Sequence, residues 1–231
     1  LGTSWPVTPV GVVDELGEGR GTMELSEAMR TTAGVRLYEP RHVSDEVIHS
    51  ALDLARFAPS GGNRQPWRVI VVRDAATRAR IRDVSLREWE KYVARWYGEV
   101  ASLSEVRLRK LREGTSYHET LDAAPVHLLI WTELAALAVI DKELDRQSFV
   151  GGGSIYPFVQ NLQLALRNGG LGSRITSLAV AAEAEMASLV GVPAGYGLAA
   201  VVTVGYPEWA PTKLARKPVE SFAWCERFEG N

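Results

Sequence analysis

The sequence predicts an α+β domain in which helices pack in layers against a sheet. Segments with helical and strand-like patterns alternate along the chain, but they do not repeat as regular βαβ units. No GxGxxG fingerprint stands at a strand-to-helix junction, which argues against a Rossmann fold. The chain has 231 residues, of which 46% are hydrophobic, and this is enough for one sizeable core or two small ones.

The first quarter of the chain predicts two helices after an irregular start. Residues 1–22 combine prolines and glycines with little periodicity, so we expect an extended or mobile leader, or a segment that drapes over a partner subunit. A short amphipathic helix is predicted over 23–30. A second helix is predicted over 44–57, with Ser44 as its cap. Its apolar side consists of Val47, Ile48, Leu52, Leu54 and Ala55.

The middle of the chain alternates strands with charged segments. A strand over 67–73 precedes residues 75–100, which are rich in Arg, Glu, Trp and Tyr and predict one long helix or two. Residues 101–120 are strongly charged, and we expect a mobile connection there. The apolar run over 126–131 predicts another strand, and we expect His127 within it to be a core or edge histidine.

The last third of the chain predicts a long apolar helix, a short helix and a strand. Ser154 is the expected cap of the helix over 155–168, and a glycine pair ends it. A short helix over 181–189, a strand over 198–204 and an extended tail follow. We expect a homodimer, because three leucines add apolar surface to a helix whose other faces are committed to the core. These leucines are Leu162, Leu164 and Leu166.

Charge and composition exclude several classes of function. The net charge of −2 offers no basic field for nucleic acid or for an anionic membrane, and no apolar run is long enough to span a bilayer. The single cysteine, Cys225, cannot form an intrachain disulfide, which fits a cytoplasmic protein. The four histidines show no paired spacing, so we expect no metal site.

The residues that point to a ligand follow the second predicted helix, in the string APSGGNRQPW over 58–67. Adjacent Gly61 and Gly62 let the backbone approach a flat ligand without an intervening side chain. Asn63 and Gln65 offer hydrogen-bond donors and acceptors suited to the edge of an imide. Alternatively, the glycine pair is only the turn of a helix-to-strand connection.

As a whole, this string resembles the segment of the nitroreductase superfamily that passes beside the isoalloxazine ring of FMN. The resemblance extends from about Met29 to Pro218. It implies a layered α/β/α domain over 23–231, built as a domain-exchanged homodimer with two FMN sites between the subunits. It also implies that the substrate lies against Gly62. The loop residues that it assigns to the cofactor are Pro59, Ser60, Gly61 and Asn63.

The segment RTTAGVRLY over 30–38 occupies the place of an RRSVRxF-type motif, whose basic and hydroxyl groups hold the phosphate and the pyrimidine edge of FMN. Arg36 fits the motif, whereas Thr32 and Gly34 stand where arginine and serine are usual. Thr32 still offers a hydroxyl and Gly34 a backbone amide, and Arg30 is the candidate for the missing guanidinium. Taken alone, Arg36 is equally compatible with a solvated surface position.

Glu88 and Tyr92 lie one helical turn apart, so a carboxylate and a phenol share one helix face. On spacing alone, this is more typical of a charged helix with aromatic residues packed beneath it. In the iodotyrosine deiodinase branch of the superfamily, a Glu and a Tyr at this spacing and a later Lys hold the amino-acid end of the substrate. The resemblance places His118 at the lysine position. A histidine could be protonated near neutral pH, but it is shorter than lysine.

The segment SRITSL over 173–178 corresponds to the one that faces N5 of the flavin in the superfamily. The resemblance assigns Arg174, Ile175 and Thr176 to the cofactor. It makes Thr176 the catalytic candidate, because the deiodinase branch has a threonine there whose hydroxyl favours one-electron steps. A threonine in an ordinary strand or turn is the alternative. In the tail, Arg216 matches a residue that reaches the FMN phosphate.

The resemblance leads to three hypotheses of function. The first is an FMN-dependent oxidoreductase that reduces nitroaromatics or quinones with NAD(P)H. The second is reductive dehalogenation of a phenol similar to halotyrosine, and the third is a flavin-binding protein without turnover. In the first two, the flavin carries the redox chemistry and the protein positions a small aromatic substrate.

Overall fold

The computed structural model describes residues 23–97, 103–210 and 212–228, so the predicted leader over 1–22 lies outside the described residues. Six α-helices and four strands lie within these ranges. The helices are α1 (Leu25–Thr31), α2 (Asp45–Ala55), α3 (Ala75–Trp96), α4 (Glu105–Glu119), α5 (Tyr156–Asn168) and α6 (Glu183–Val190). The strands are β1 (Trp67–Val72), β2 (Val126–Glu133), β3 (Gly172–Thr176) and β4 (Tyr196–Gly205).

The strands form one antiparallel sheet in the order β1-β2-β4-β3. The register of β2 with β4 is interrupted by a bulge between Ile130 and Trp131. Beyond β3, Gly34 adds a single parallel bridge to Ser173. An antiparallel sheet with separate helices between its strands confirms the α+β class.

Helices cover both faces of the sheet, so the domain has three layers. One face packs against α2 and α5, and the other packs against α3, α6 and the turn that precedes α6. Strand β2 supplies both cores, with Leu128 and Ile130 in the first and Leu129 and Trp131 in the second. Because both sides of β2 are buried, the middle of the strand, Leu128 to Trp131, is an unbroken apolar run that does not alternate with polar residues. In the described ranges, no helix combines the length and apolar character that crossing a bilayer requires.

Helix α2 follows its prediction closely. The Ser44 hydroxyl accepts a hydrogen bond from the Val47 amide at 3.5 Å, and Ile48 and Ala55 are buried. Leu54, however, is 48% exposed and lines a groove beside α1 and α5. The predicted helix over 75–100 is a single helix as far as Trp96, and residues 98–100 lie outside the described ranges.

Helix α4 corrects the prediction of a mobile connection over 101–120. Its apolar stripe is narrow, since charged residues occupy seven of the fifteen positions and only four residues of the described helix are buried. These residues are Leu111, Gly114, Tyr117 and His118. Gly114 allows close packing against α3, because a β-carbon at this position would lie 2.6 Å from the ring of Trp89. Glycine normally disfavours a helix, but Gly114 lies where α4 contacts α3.

Two predictions about α5 are wrong. Ile155 occupies the capping position, and the hydroxyl of Ser154 instead accepts a hydrogen bond from the Gly61 amide at 3.0 Å. Leu162 and Leu166 are buried in the core of the chain itself, and only Leu164 is partly exposed. Of these three leucines, only Leu164 leaves apolar surface outside the core, in a groove beside α1 and α2.

Candidate active site

A cavity of about 820 Å³ opens beside the segment that adjoins β3. Residues 33–37 form one wall, α4 forms another, and residues that follow β4 complete the lining. The side chains around it include those of Arg112, Ser116, Tyr117, Trp209 and Lys213. Its volume lies within the range of roughly 300–1,000 Å³ that is typical of small-molecule and cofactor sites.

Hydrogen bonds to the sheet hold residues 33–37 in place. The Val35 amide donates to the Ser173 carbonyl of β3 at 3.0 Å, and the hydroxyl of Tyr38 donates to the Val35 carbonyl at 3.0 Å. The same hydroxyl lies 2.9 Å from Oγ1 of Thr203 in β4. The part of the motif around Arg36 is therefore fixed along the edge of the sheet.

A buried polar cluster supports the cavity from below. The hydroxyl of Tyr117 lies 3.2 Å from Oγ1 of Thr203, so two phenols, those of Tyr38 and Tyr117, share one threonine. Burial raises the pKa of both phenols, and they stay protonated at neutral pH. The cluster thus offers neutral hydroxyl groups and no negative charge.

Arg174 and Thr176 lie on the same face of β3, opposite Thr203 and Val201 of β4. The guanidinium carbon of Arg174 lies 4.1 Å from the centre of the Tyr117 ring, a cation–π contact. Burial, and then the positive charge of Arg36, lower the pKa of Arg174 from its ordinary value. Thr176 is buried, and its hydroxyl accepts a hydrogen bond from the Leu178 amide at 3.5 Å.

Glu88 is buried on α3 and already has cationic partners. Nζ of Lys91 lies 2.7 Å from its Oε1, and Nε of Arg87 lies 3.4 Å from the same oxygen. The hydrogen bond from Lys91 lowers the pKa of this carboxyl group further than burial raises it. Glu88 is therefore a carboxylate at neutral pH, and a ligand ammonium would have to displace or share these partners.

His118 is almost fully buried, with 3% of its surface exposed. Its Nδ1 lies 2.9 Å from Oγ of Ser85, and its ring stacks on Trp89 with centroids 5.1 Å apart. Burial, together with the charge of Arg174, lowers its pKa to about 4. This surrounding favours the neutral form of His118 at neutral pH. Trp89 also stacks on the half-exposed Tyr92, so an indole contacts both of these predicted substrate residues.

The loop over 58–67 has an unusual backbone. Gly62, Asn63 and Gln65 all have positive φ, at 61°, 53° and 49°, and two of these residues carry side chains. Such conformations cost free energy and concentrate at ligand sites. The hydroxyl of Ser60 accepts from the Gln65 amide at 3.0 Å, and Ser154 holds the Gly61 amide. The loop is thus fixed from within and from the segment before α5.

The described chain does not unite all the residues that the resemblance assigned to one site. Residues 33–37 and Tyr117 line the cavity, and Arg174 lies behind them, against Tyr117 and beside Gly34. The loop over 59–65 does not line it. Arg30 and Arg216 are exposed, and Nη1 of Arg216 donates to the Ala215 carbonyl at 2.8 Å. The hydroxyl of Thr32 donates to the Ala28 carbonyl at 2.7 Å within α1, and Ile175 is 38% exposed.

Sequence reasoning missed several residues of the cavity wall. Tyr117, Ser116 and Arg112 belong to α4, the segment for which no structure was expected, while Trp209 and Lys213 follow the last strand. A signal was nevertheless present, since Leu111, Gly114 and His118 recur at helical spacing. In the described residues, no group of three or more His, Cys, Asp or Glu side chains is arranged to hold a metal ion.

The sequence of the chain is similar to those of known proteins. A model of the nitroreductase family matches residues 29–206. Iodotyrosine deiodinase 1 of Mus musculus is 28% identical over 203 residues, which cover 86% of this chain and 68% of the mouse protein. The iodotyrosine deiodinase of Nematostella vectensis is 28% identical over 200 residues, covering 85% of this chain and 73% of that protein.

Solved structures agree on the fold. The crystal structure of oxidized iodotyrosine deiodinase bound to FMN and 3-iodo-L-tyrosine has a TM-score of 0.70 at 24% identity, covering 89% of this chain and 100% of that one. An FMN-bound nitroreductase from Desulfitobacterium hafniense has a TM-score of 0.63 at 18% identity, covering 87% and 98%. Since the family model matches most of the chain and the fold agrees with it, this protein belongs to the nitroreductase family.

Proposed function

We propose that this protein is an FMN-dependent oxidoreductase that transfers electrons from NAD(P)H to small aromatic acceptors such as nitroaromatics or quinones. Membership of the nitroreductase family supports this class of chemistry. The observation that carries the proposal is the cavity of about 820 Å³ lined by Gly34, Arg36 and Tyr117. Its volume suits a cofactor, its wall includes an aromatic ring, and its lining carries three cations, Arg36, Arg112 and Lys213, beside two glutamates, Glu113 and Glu208.

The residues around the cavity fit a flavin mononucleotide. Arg36 and Lys213 supply positive charge for phosphate or carbonyl oxygens. We assign the exposed Arg216 to the phosphate and the Thr176 hydroxyl to the reacting edge of the ring. FMN, when bound, supplies the electron transfer, and the polypeptide binds, orients and excludes water.

We further propose that two copies complete each site in a domain-exchanged homodimer. The cavity and the loop over 59–65 are separate in the described part of one chain, and a second copy could bring its own loop to the cavity. A groove of about 320 Å³ between α1, α2 and α5 leaves Leu25 and Leu54 largely exposed. The tail exposes Phe222 and Trp224, which is the pattern expected of a segment that packs on a partner.

The experiment that tests the activity is steady-state oxidation of NADH and NADPH by FMN-loaded protein. We expect either donor to be consumed slowly alone and much faster when a nitroaromatic or a quinone such as menadione is added. Protein that has been stripped of FMN is the matched control. Equal rates with and without acceptor, in protein that has bound FMN, would instead indicate a flavin-binding protein without turnover.

A second candidate function is reductive dehalogenation of a halotyrosine-like phenol. The similarity to iodotyrosine deiodinases favours it, as do Glu88 and Tyr92 at the expected spacing on α3. Two contacts count against it, because Lys91 already pairs with Glu88 and His118 is neutral where a cation would hold a carboxylate. We therefore rank it second.

Binding of two phenols separates the candidates. We expect 3-iodotyrosine and 2-iodophenol to quench the flavin fluorescence with similar weak affinities, and Glu88→Gln to leave nitroaromatic reduction nearly unchanged. If two charged contacts instead hold the amino-acid end, 3-iodotyrosine should bind at least about tenfold more tightly. Such a preference, abolished by Glu88→Gln, would reverse the ranking.

A further inference from the structure

Arg174 is a partly buried cation whose surroundings provide no compensating carboxylate in the described chain. The side chains with the largest electrostatic effect on it are the guanidinium of Arg36 and the phenols of Tyr117 and Tyr38. Its Nε is buried and has no hydrogen-bond partner among the described residues. Burying an unpaired charge and an unsatisfied donor is costly, so such an arrangement points to an anionic ligand that completes it.

The position of Arg174 identifies where that anion would lie. A β-carbon on Gly34 would lie 3.5 Å from Cγ and 3.7 Å from Nη1 of Arg174, so the arginine occupies the space beside this glycine. Its guanidinium also stacks on Tyr117, and both Gly34 and Tyr117 line the cavity of about 820 Å³. Arg174 thus stands beside the motif position at which the sequence has Gly34 and not the usual serine.

Neither Arg30 nor Thr32 takes the place of the missing motif groups in the described chain. Arg30 is exposed at the end of α1 and does not belong to the described lining of the cavity. Thr32, which stands where the motif has arginine, donates its hydroxyl to the Ala28 carbonyl at 2.7 Å. Arg36, Arg112 and Lys213 line the cavity, and Arg174 lies behind this wall, in contact with the Tyr117 ring and beside Gly34.

We propose that Arg174, together with Arg36, binds the phosphate of FMN and replaces the guanidinium and hydroxyl that the motif supplies in other family members. The inference deepens the proposed function and rests on it. A planar guanidinium is well suited to a phosphate, because it can donate two parallel hydrogen bonds. The Tyr117 ring holds the guanidinium plane, and partial exclusion of water strengthens the contact.

The test compares FMN with riboflavin, which has the same ring system and lacks the phosphate. Dissociation constants for both are measured by flavin fluorescence quenching with wild-type protein, Arg174→Gln, Arg174→Lys and Arg109→Gln. The last variant removes the same charge from an exposed position on α4 that is paired with Glu113. Riboflavin binding reports whether each variant is folded.

We expect Arg174→Gln to weaken FMN binding by roughly ten- to a hundredfold, the usual effect of losing a charge-assisted hydrogen bond. Riboflavin binding should change little, Arg174→Lys should keep part of the FMN preference, and Arg109→Gln should keep all of it. If wild-type protein prefers FMN and Arg174→Gln keeps that preference, or loses both flavins equally, this inference alone is overturned. If wild-type protein binds neither flavin, the proposed function falls with it.

Discussion

Glu88 and His118 lie on two helices that pack together, and each has a charge state that its position in the sequence does not reveal. Glu88 is a carboxylate because Lys91 and Arg87 approach it, and His118 is neutral because Trp89 and Ser85 enclose it. Residue type and helical spacing predicted that Glu88 and Tyr92 share a face. They could not predict Trp89 as the shared neighbour, since this depends on how α4 packs on α3.

The first prediction concerns the protonation of His118. Burial holds its pKa at about 4 in the folded protein, whereas an ordinary histidine titrates near 6.5. Titration of the histidine ring protons by NMR, with His118→Gln to assign the signal, should place the midpoint well below the ordinary value. A midpoint above about 6 would contradict the packing described for this side chain.

The same shift has a consequence for stability, and its sign follows from proton binding. Between pH 6.5 and about 4 the unfolded chain binds a proton at His118 and the folded chain does not, so stability falls as the pH falls through this window. Above pH 6.5, the ordinary pKa of the unfolded chain, His118 is neutral in both states and takes nothing from the stability. Urea unfolding at pH 7 and at pH 5 should therefore show a smaller loss for His118→Gln than for wild-type protein. Burial also lowers the pKa of His127 to about 4, so this second buried histidine should contribute to the same loss of stability at low pH.

At the scale of elements, the sequence predicted most helices and strands because their apolar residues recur with a clear period. The cap of α2 and the buried strand β2 followed from local patterns. Helix α4 was missed because only a few of its residues are apolar and its middle holds Gly114. The role of Ser154 was also missed, because its partner Gly61 lies in a distant part of the sequence. Both failures concern contacts between elements, and the periodicity of a single sequence gives no information about such contacts.

The second prediction concerns Gly114. A glycine-to-alanine change inside a helix normally stabilises it by about 0.5 to 1 kcal/mol. Here the new methyl group would meet the Trp89 ring at 2.6 Å, and the indole is anchored by a hydrogen bond of 2.9 Å to Thr115. We therefore expect Gly114→Ala to destabilise the protein by roughly 1 to 3 kcal/mol.

Chemical denaturation measures this effect, and Gly153→Ala is its control, because a β-carbon there would have no atom within 4 Å. The control should stay within about 0.5 kcal/mol of wild type. A Gly114→Ala variant as stable as the control would show that α4 does not pack on Trp89 as described.

At the scale of the whole molecule, one chain carries two separate halves of a candidate site. One is the cavity beside β3, and the other is the strained loop over 59–65, which a hydrogen bond to Ser154 holds in place. The loop does not line the cavity. The sequence resemblance brought these residues together without saying which chain contributes them. An exposed apolar groove on α1, α2 and α5 is the surface that a second copy would cover.

The third prediction follows from that groove. Leu54 is 48% exposed in it, so Leu54→Lys should leave the folded chain intact but place a charge in the proposed dimer interface. We expect the dimer dissociation constant to rise by roughly tenfold or more, with a parallel loss of FMN affinity. Val106→Lys alters an apolar residue of similar exposure, 58%, on α4 and serves as control.

Sedimentation at several micromolar concentrations measures both variants. Wild-type protein and Val106→Lys should sediment with twice the chain mass, and Leu54→Lys should shift toward the monomer on dilution. A wild-type monomer that binds FMN tightly would overturn the proposal that two chains build each site.

The cofactor content of the purified protein tests the central claim most directly. Its absorption spectrum is recorded, the protein is denatured, and the released compound is identified by chromatography against FMN, FAD and riboflavin. The account predicts a flavin spectrum and release of FMN in an amount close to that of the chains, either as purified or after incubation with FMN. A colourless protein that leaves the fluorescence of added FMN unchanged, while another cofactor binds, would contradict it.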